Sequence, residues 1–214
     1  AHLASWGFVV ASPDHPSRQL STVLLGELDA GQQSAADDLL QTLDLIDAEN
    51  QSSDGLLAAH VDTSRVVAVG HSAGGGSVLQ AAADDRISGY VSMASGVFLG
   101  GSSTDDAPTD ATTSTTIPTL PDKPSFFMAG SADARVPAEE RTRPAFELAG
   151  TPSLLWIIDG AGHNAFDDFC TFGGGTGIIG LAEQSGLGSL LDGFEGLRSL
   201  GEDGCVPPAV PVAD

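Results

Sequence analysis

The sequence predicts an α/β protein whose mostly parallel sheet is covered by helices on both faces. Two observations carry this. Short continuous apolar runs recur along the chain, the mark of strands buried on both sides. They alternate with helical stretches, the connection that parallel neighbours require. The 214 residues suit one domain of ordinary size. Residues 1–204 are read as that domain, and 205–214 as a Pro-rich, extended tail.

Gly7-Phe-Val-Val-Ala11 reads as a buried strand closed by the turn signal Ser12-Pro13-Asp14. From Gly31 to Asn50, apolar Ala35, Leu39, Leu40, Leu43 and Ile46 recur near helical spacing with aspartates between them, which predicts an amphipathic helix. A polar connection leads to the second strand, Arg65–Gly70, and a small-residue helix follows over Ala73–Ala83. Gly89–Ala94 and Pro124–Ala129 read as the third and fourth strands. Ser102 to Asp122, rich in Ser, Thr, Asp and Pro, is placed as a surface loop between them. Pro137–Ala149 reads as a helix kinked at Pro144, and Ser153–Asp159 as the fifth strand.

Eight Lys+Arg against 29 Asp+Glu give a formal net charge of −21. Such a field repels phosphate backbones and anionic headgroups, so nucleic acid and acidic membrane are poor partners. No apolar run approaches the roughly 18 residues of a membrane helix, and no basic segment precedes an apolar one at the start. The chain opens at Ala1 without Met, so we expect it to be processed, trimmed or a fragment. The two cysteines, Cys170 and Cys205, lack the spacing of a zinc or redox motif. Paired, they would close a loop worth roughly 3–4 kcal/mol in the chain-entropy model and would point to an oxidising, extracytoplasmic compartment. Two separate buried thiols are the alternative.

The chemistry concentrates at Gly70-His71-Ser72-Ala73-Gly74, a G-x-S-x-G match at a strand-to-helix junction. A turn sharp enough to push a serine hydroxyl clear of the sheet crowds its backbone, so glycines are expected on both sides. A serine hydroxyl is a weak nucleophile at neutral pH and needs a base, which in turn needs a carboxylate to fix its tautomer. His163, just past the fifth strand, emerges at the same sheet edge as the serine turn and is our choice of base; His15 is the second. His71 lies inside the turn and would point away from Ser72, while His2 and His60 read as surface positions. Asp133 follows the fourth strand and is the choice of carboxylate, with Asp106 and Asp159 as alternatives. The order Ser72, Asp133, His163 is the chain order of the G-x-S-x-G hydrolases.

These residues, together with Ser5-Trp-Gly-Phe-Val-Val-Ala-Ser-Pro-Asp-His-Pro16, Val136-Pro137 and Gly160-Ala-Gly-His163, resemble the α/β-hydrolase superfamily. The likeness runs over about 1–169 and is nearest to cutinase-like polyesterases and to platelet-activating-factor-acetylhydrolase-like and dienelactone-hydrolase-like enzymes. The resemblance implies a secreted serine esterase without a metal or organic cofactor, acting on a small-molecule or polymeric ester. Ser72 would be its nucleophile, His163 its general base and acid, Asp133 its orienting carboxylate, and the Ala73 N–H one oxyanion donor. Two departures are visible. The family begins with further strands and a loop that supplies a second oxyanion N–H, and these are expected to be missing here. Losing such a donor costs roughly 2.7–4 kcal/mol of transition-state stabilisation. Polyesterases of this type also carry Met after the nucleophile and an aromatic clamp after the next strand, where this chain has Ala73 and Ser95-Gly96-Val97, which counts against aromatic polyesters. Phe98 and Phe166 fall near cleft loops and suit an apolar acyl or alcohol group.

Two other readings remain at this point. One is a non-catalytic binding protein on the same fold; the other is an acyltransferase using the same three side chains. Gly175-Thr-Gly-Ile-Ile-Gly180 matches the dinucleotide-binding spacing, but no strand is predicted before it, so no nucleotide is expected there.

Overall fold

A computed structural model describes residues 2–16, 32–97, 119–191 and 196–206. Among these residues four strands form one sheet: β1 (Val66–His71), β2 (Ile87–Met93), β3 (Ser125–Gly130) and β4 (Ser153–Ile158). All neighbours are parallel, and they lie in simple chain order. The helices that pack with them are α1 (Gln32–Gln51), α2 (Ala73–Ala81) and α3 (Arg143–Leu148). Farther along, α4 (Gly177–Gln184) and α5 (Leu197–Glu202) belong to a small C-terminal layer. Each of the four strands lies within two residues of its expected place, because a buried parallel strand writes itself as an apolar run.

The core lies between the sheet and α1, α2 and α3. Tyr90 and Phe127 are fully buried there, ring edge to ring face at 6.0 Å, and Phe127 meets Phe146 of α3 at 6.4 Å. Val78, Leu79, Ile87 and Ala145 complete it, with Leu39, Leu40 and Leu43 of α1 packed on its margin. The helix expected to kink at Pro144 divides in two. A π-helical turn over Ala138–Thr142, closed by Arg143 N–H on the Ala138 carbonyl, hands over to α3 with proline in its first turn. Proline has no N–H to donate and is tolerated only in that first turn, so the chain restarts its helix there.

The two faces of the sheet differ among the described residues, and one expected strand is corrected. Helical cover falls on one face only among the described residues. In register across the sheet, Val67, Val69, Val91, Phe126, Leu154 and Trp156 line the opposite face; Val67, Leu154 and Trp156 are each more than half exposed. Right-handed β–α–β crossovers account for this: α2, between β1 and β2, and α3, between β3 and β4, are sent to the same side of a sheet whose strand order does not reverse. The correction concerns Gly7–Ala11, which is no strand and pairs with none of the described strands, and Phe8, Val9 and Val10 are at least half exposed. Apolar content made it look like a strand, yet a strand also needs a hydrogen-bonding neighbour. Residues 102–118 of the expected surface loop and 207–214 of the expected tail lie outside the described residues. No helix among the described residues is long and apolar enough to cross a membrane.

Candidate active site

Parallel strands in one sheet deliver their C-terminal ends to a single edge, and the loops leaving β1, β3 and β4 meet there. Ser72 stands between β1 and α2 with φ of 56° and ψ of −123°. Positive φ is rare for a residue with a side chain, and strain of this kind is characteristic of a serine held up on a tight turn. The turn is tied to the sheet by Ser72 N–H donating to the Met93 carbonyl at 2.9 Å. Crowding at the turn is one-sided, contrary to expectation. A Cβ on Gly70 would sit 2.3 Å from the Gly74 carbonyl oxygen, whereas one on Gly74 would meet open space.

His163 enters on a 3-10 turn, His163–Phe166, directly after β4, and is buried together with Asp133. Its Nε2 lies 2.8 Å from Ser72 Oγ and its Nδ1 2.9 Å from Asp133 Oδ2. The other Asp133 oxygen, Oδ1, accepts two backbone N–H groups, from Arg135 at 2.9 Å and Val136 at 2.7 Å. One carboxylate oxygen is thereby anchored in its own loop and the other presented to the ring. Three side chains 30 to 91 residues apart in sequence are joined in one chain of hydrogen bonds. The Ala73 N–H opens α2, where a helix has no partner of its own for the amide and its dipole favours an anion.

The alternatives fall elsewhere. His15 pairs with Asp38 of α1 at 2.8 Å. His2 and His60 are exposed. Asp159 accepts from Ser131 Oγ on the exposed rim, and Asp106 lies outside the described residues. Of the two proposed substrate contacts, Phe98 also lies outside them, while Phe166 is half-buried with its ring centroid 6.3 Å from that of His71. Cys170 and Cys205 are joined in a disulfide. Among the described residues no group of three or more His, Cys, Asp or Glu is placed to hold a metal ion.

His71, inside the turn and pointing away from Ser72 in the sequence-based expectation, has partners of its own. Its ring lies 5.0 Å from that of His163 and its Nε2–H donates to the His163 backbone carbonyl at 2.9 Å. Its Nδ1 faces Asp167 Oδ2 at 3.5 Å, an oxygen that is buried and makes no hydrogen bond among the described residues. Burial pushes the imidazole below its ordinary value, the bond to the His163 carbonyl opposing, and burial pushes Asp167 upward. The sign for His71 follows from linkage. Above its unfolded value of about 6.5 the ring is neutral in both states and its contribution to stability is intact. As the pH falls below that and toward the lowered folded value, the unfolded chain takes up the proton first, and stability is lost. Asp167 acts in the opposite sense, gaining stability as the pH falls through its raised value. The His71→Gln variant should therefore lose less Tm between pH 7 and pH 5 than the parent. Equal losses in thermal melts at the two pH values would assign the acid sensitivity to other groups.

The family model described as PETase, PET hydrolase-like, matches residues 1–168. A search of curated proteins gives no significant match.

Proposed function

The chain belongs to the PET hydrolase-like family, an ester-hydrolase family of α/β-hydrolase type, and from that premise we propose that it cleaves carboxylic esters through an acyl-enzyme formed on Ser72. The observation that carries the proposal is the continuous Ser72–His163–Asp133 hydrogen-bond chain at 2.8 and 2.9 Å. Ser72 Oγ attacks the ester carbonyl while His163 Nε2 takes its proton, and the tetrahedral oxyanion forms beside the Ala73 N–H. His163 returns the proton to the departing alkoxide, which leaves as the alcohol. Water, deprotonated by the same nitrogen, then attacks the acyl group and releases the acid and free Ser72. Asp133 holds the tautomer in which Nδ1 carries hydrogen and offsets the positive charge that the ring acquires in each half-reaction.

The substrate is an ester with an apolar acyl or alcohol part, small or polymeric, lying along Phe166. Ala73 and Ser95-Gly96-Val97 offer it no thioether or aromatic clamp, which favours aliphatic over aromatic esters. The Cys170–Cys205 disulfide supports an extracytoplasmic location. A fluorophosphonate, which captures an activated serine covalently, tests the chemistry together with a short-chain p-nitrophenyl ester. We expect ester turnover and one adduct, located by mass spectrometry at Ser72. An adduct elsewhere, or none alongside absent turnover, would overturn the assignment. Turnover that produces ester exchange with added alcohol in place of free acid would favour the acyltransferase.

A further inference from the structure

We propose that Asp203, far outside the residues the family model matches, is a positioning residue that locks the His163 and Asp133 loops to one another. The proposal rests on the reading of Ser72, Asp133 and His163 as one catalytic unit. Each carboxylate oxygen of Asp203 accepts a different loop: Oδ1 takes the backbone N–H of His163 at 2.9 Å, and Oδ2 takes that of Ala134, the residue after Asp133, at 3.0 Å. A single rigid group thus spans the backbone of both partners in the His163–Asp133 bond. Nearer the strands the two loops are also tied by Ser131 Oγ, which donates to Asp159 Oδ1 at 3.0 Å and accepts the Gly160 N–H at 2.8 Å, and by the Ala132 N–H on the Ala161 carbonyl at 3.0 Å; Asp203 adds the tie at His163 and Ala134, next to the bonded side chains themselves.

The surroundings fix Asp203 in turn. Its carbonyl accepts the Asn164 N–H at 2.9 Å, and Asn164 Nδ2 donates to the Leu200 carbonyl of α5 at 2.6 Å. Two residues on, Cys205 is bonded to Cys170, which follows the His163 turn. The contact is close enough to dictate sequence: a Cβ on Gly162 would lie 2.4 Å from Asp203 Oδ1 and from the Gly204 nitrogen. A bidentate, charge-assisted acceptor between two backbone amides defines relative position better than two separate bonds would, since it allows neither loop to slide alone. An error of about 1 Å in such placement costs on the order of 10²-fold in rate.

Three proteins decide it: the parent, Asp203→Ala and Asp203→Asn. The first reading is the far-downfield proton resonance of an Nδ1–H held by a buried carboxylate, assigned to His163 by its loss in His163→Gln. The second is kcat and KM for a p-nitrophenyl ester, and melting curves report the folded fraction. We expect Asp203→Ala to lose or broaden the resonance and to lower kcat by about 10²-fold, with KM within about twofold. Asparagine keeps one acceptor and should fall between. Retention of the resonance and of kcat within about twofold in the folded alanine variant would overturn the proposal. If the alanine variant does not fold, the asparagine variant decides by the same two criteria. Should the parent itself hydrolyse no ester, the esterase reading fails, while the resonance still reports whether Asp203 holds the two loops together.

Discussion

Replacing Ser72 by alanine is expected to lower kcat for a p-nitrophenyl ester by about 10⁶-fold, with KM little changed. In the proposed mechanism the hydroxyl is the atom that becomes bonded to the acyl carbon, so its removal would delete the covalent path and leave only what the Ala73 N–H and substrate binding contribute. Residual catalysis from such a site is of the order of 10³–10⁴ over water. The initial burst of p-nitrophenol that accompanies acyl-enzyme formation should vanish with it. Alanine carries the same Cβ into the same positive-φ backbone, so the strain at the turn is unchanged and the melting temperature should hold. A stable variant with turnover within tenfold of the parent would remove Ser72 from the chemistry. Stopped-flow absorbance in the first turnover is the decisive record.

The part of the site that could be read from sequence is the part encoded in side-chain identity at a strand end. Gly70–Gly74 sits at the end of β1, and Asp133 and His163 follow the ends of β3 and β4, so parallel topology brings all three to one edge. His15 and Asp159 also follow apolar runs, and nothing in the sequence says that the first pairs with Asp38 or that the second faces the rim. Asp167 and Asp203 were invisible among 29 carboxylates, because both act on backbone or on a neighbouring ring rather than through a motif. The one signal for Asp203 was its place two residues before Cys205, a cysteine whose partner the sequence left open. Fold class was legible in the same way and up to the same limit. Apolar runs locate strands, but which side a helix covers depends on the direction of crossover and on strand order. Val67 and Trp156 are therefore written like core residues and stand on the face that no helix of the described residues covers.

Asp133→Asn isolates what the carboxylate does after position has been accounted for. The substituted amide has one oxygen and one NH₂, and the two ends of Asp133 face different demands. Oδ1 receives the N–H groups of Arg135 and Val136, so the amide oxygen must take that place, since NH₂ cannot accept them. The NH₂ is then directed at His163 Nδ1, which must accept rather than donate. That forces hydrogen onto Nε2, the nitrogen 2.8 Å from Ser72 Oγ, and a nitrogen already carrying hydrogen cannot take the serine proton. The same exchange removes the negative charge that, in the proposed mechanism, offsets the imidazolium. The expected loss in kcat at neutral pH is about 10⁴-fold, the size of effect seen where an asparagine reverses the tautomer of a catalytic histidine. Because shape and backbone contacts are preserved, Tm should move far less than in Asp133→Ala, which leaves two loop amides without an acceptor. The tautomer itself is readable: ¹⁵N chemical shifts of the His163 ring should report hydrogen on Nδ1 in the parent and on Nε2 in the variant. An unchanged tautomer combined with a loss of less than tenfold would mean that Asp133 only holds its loop.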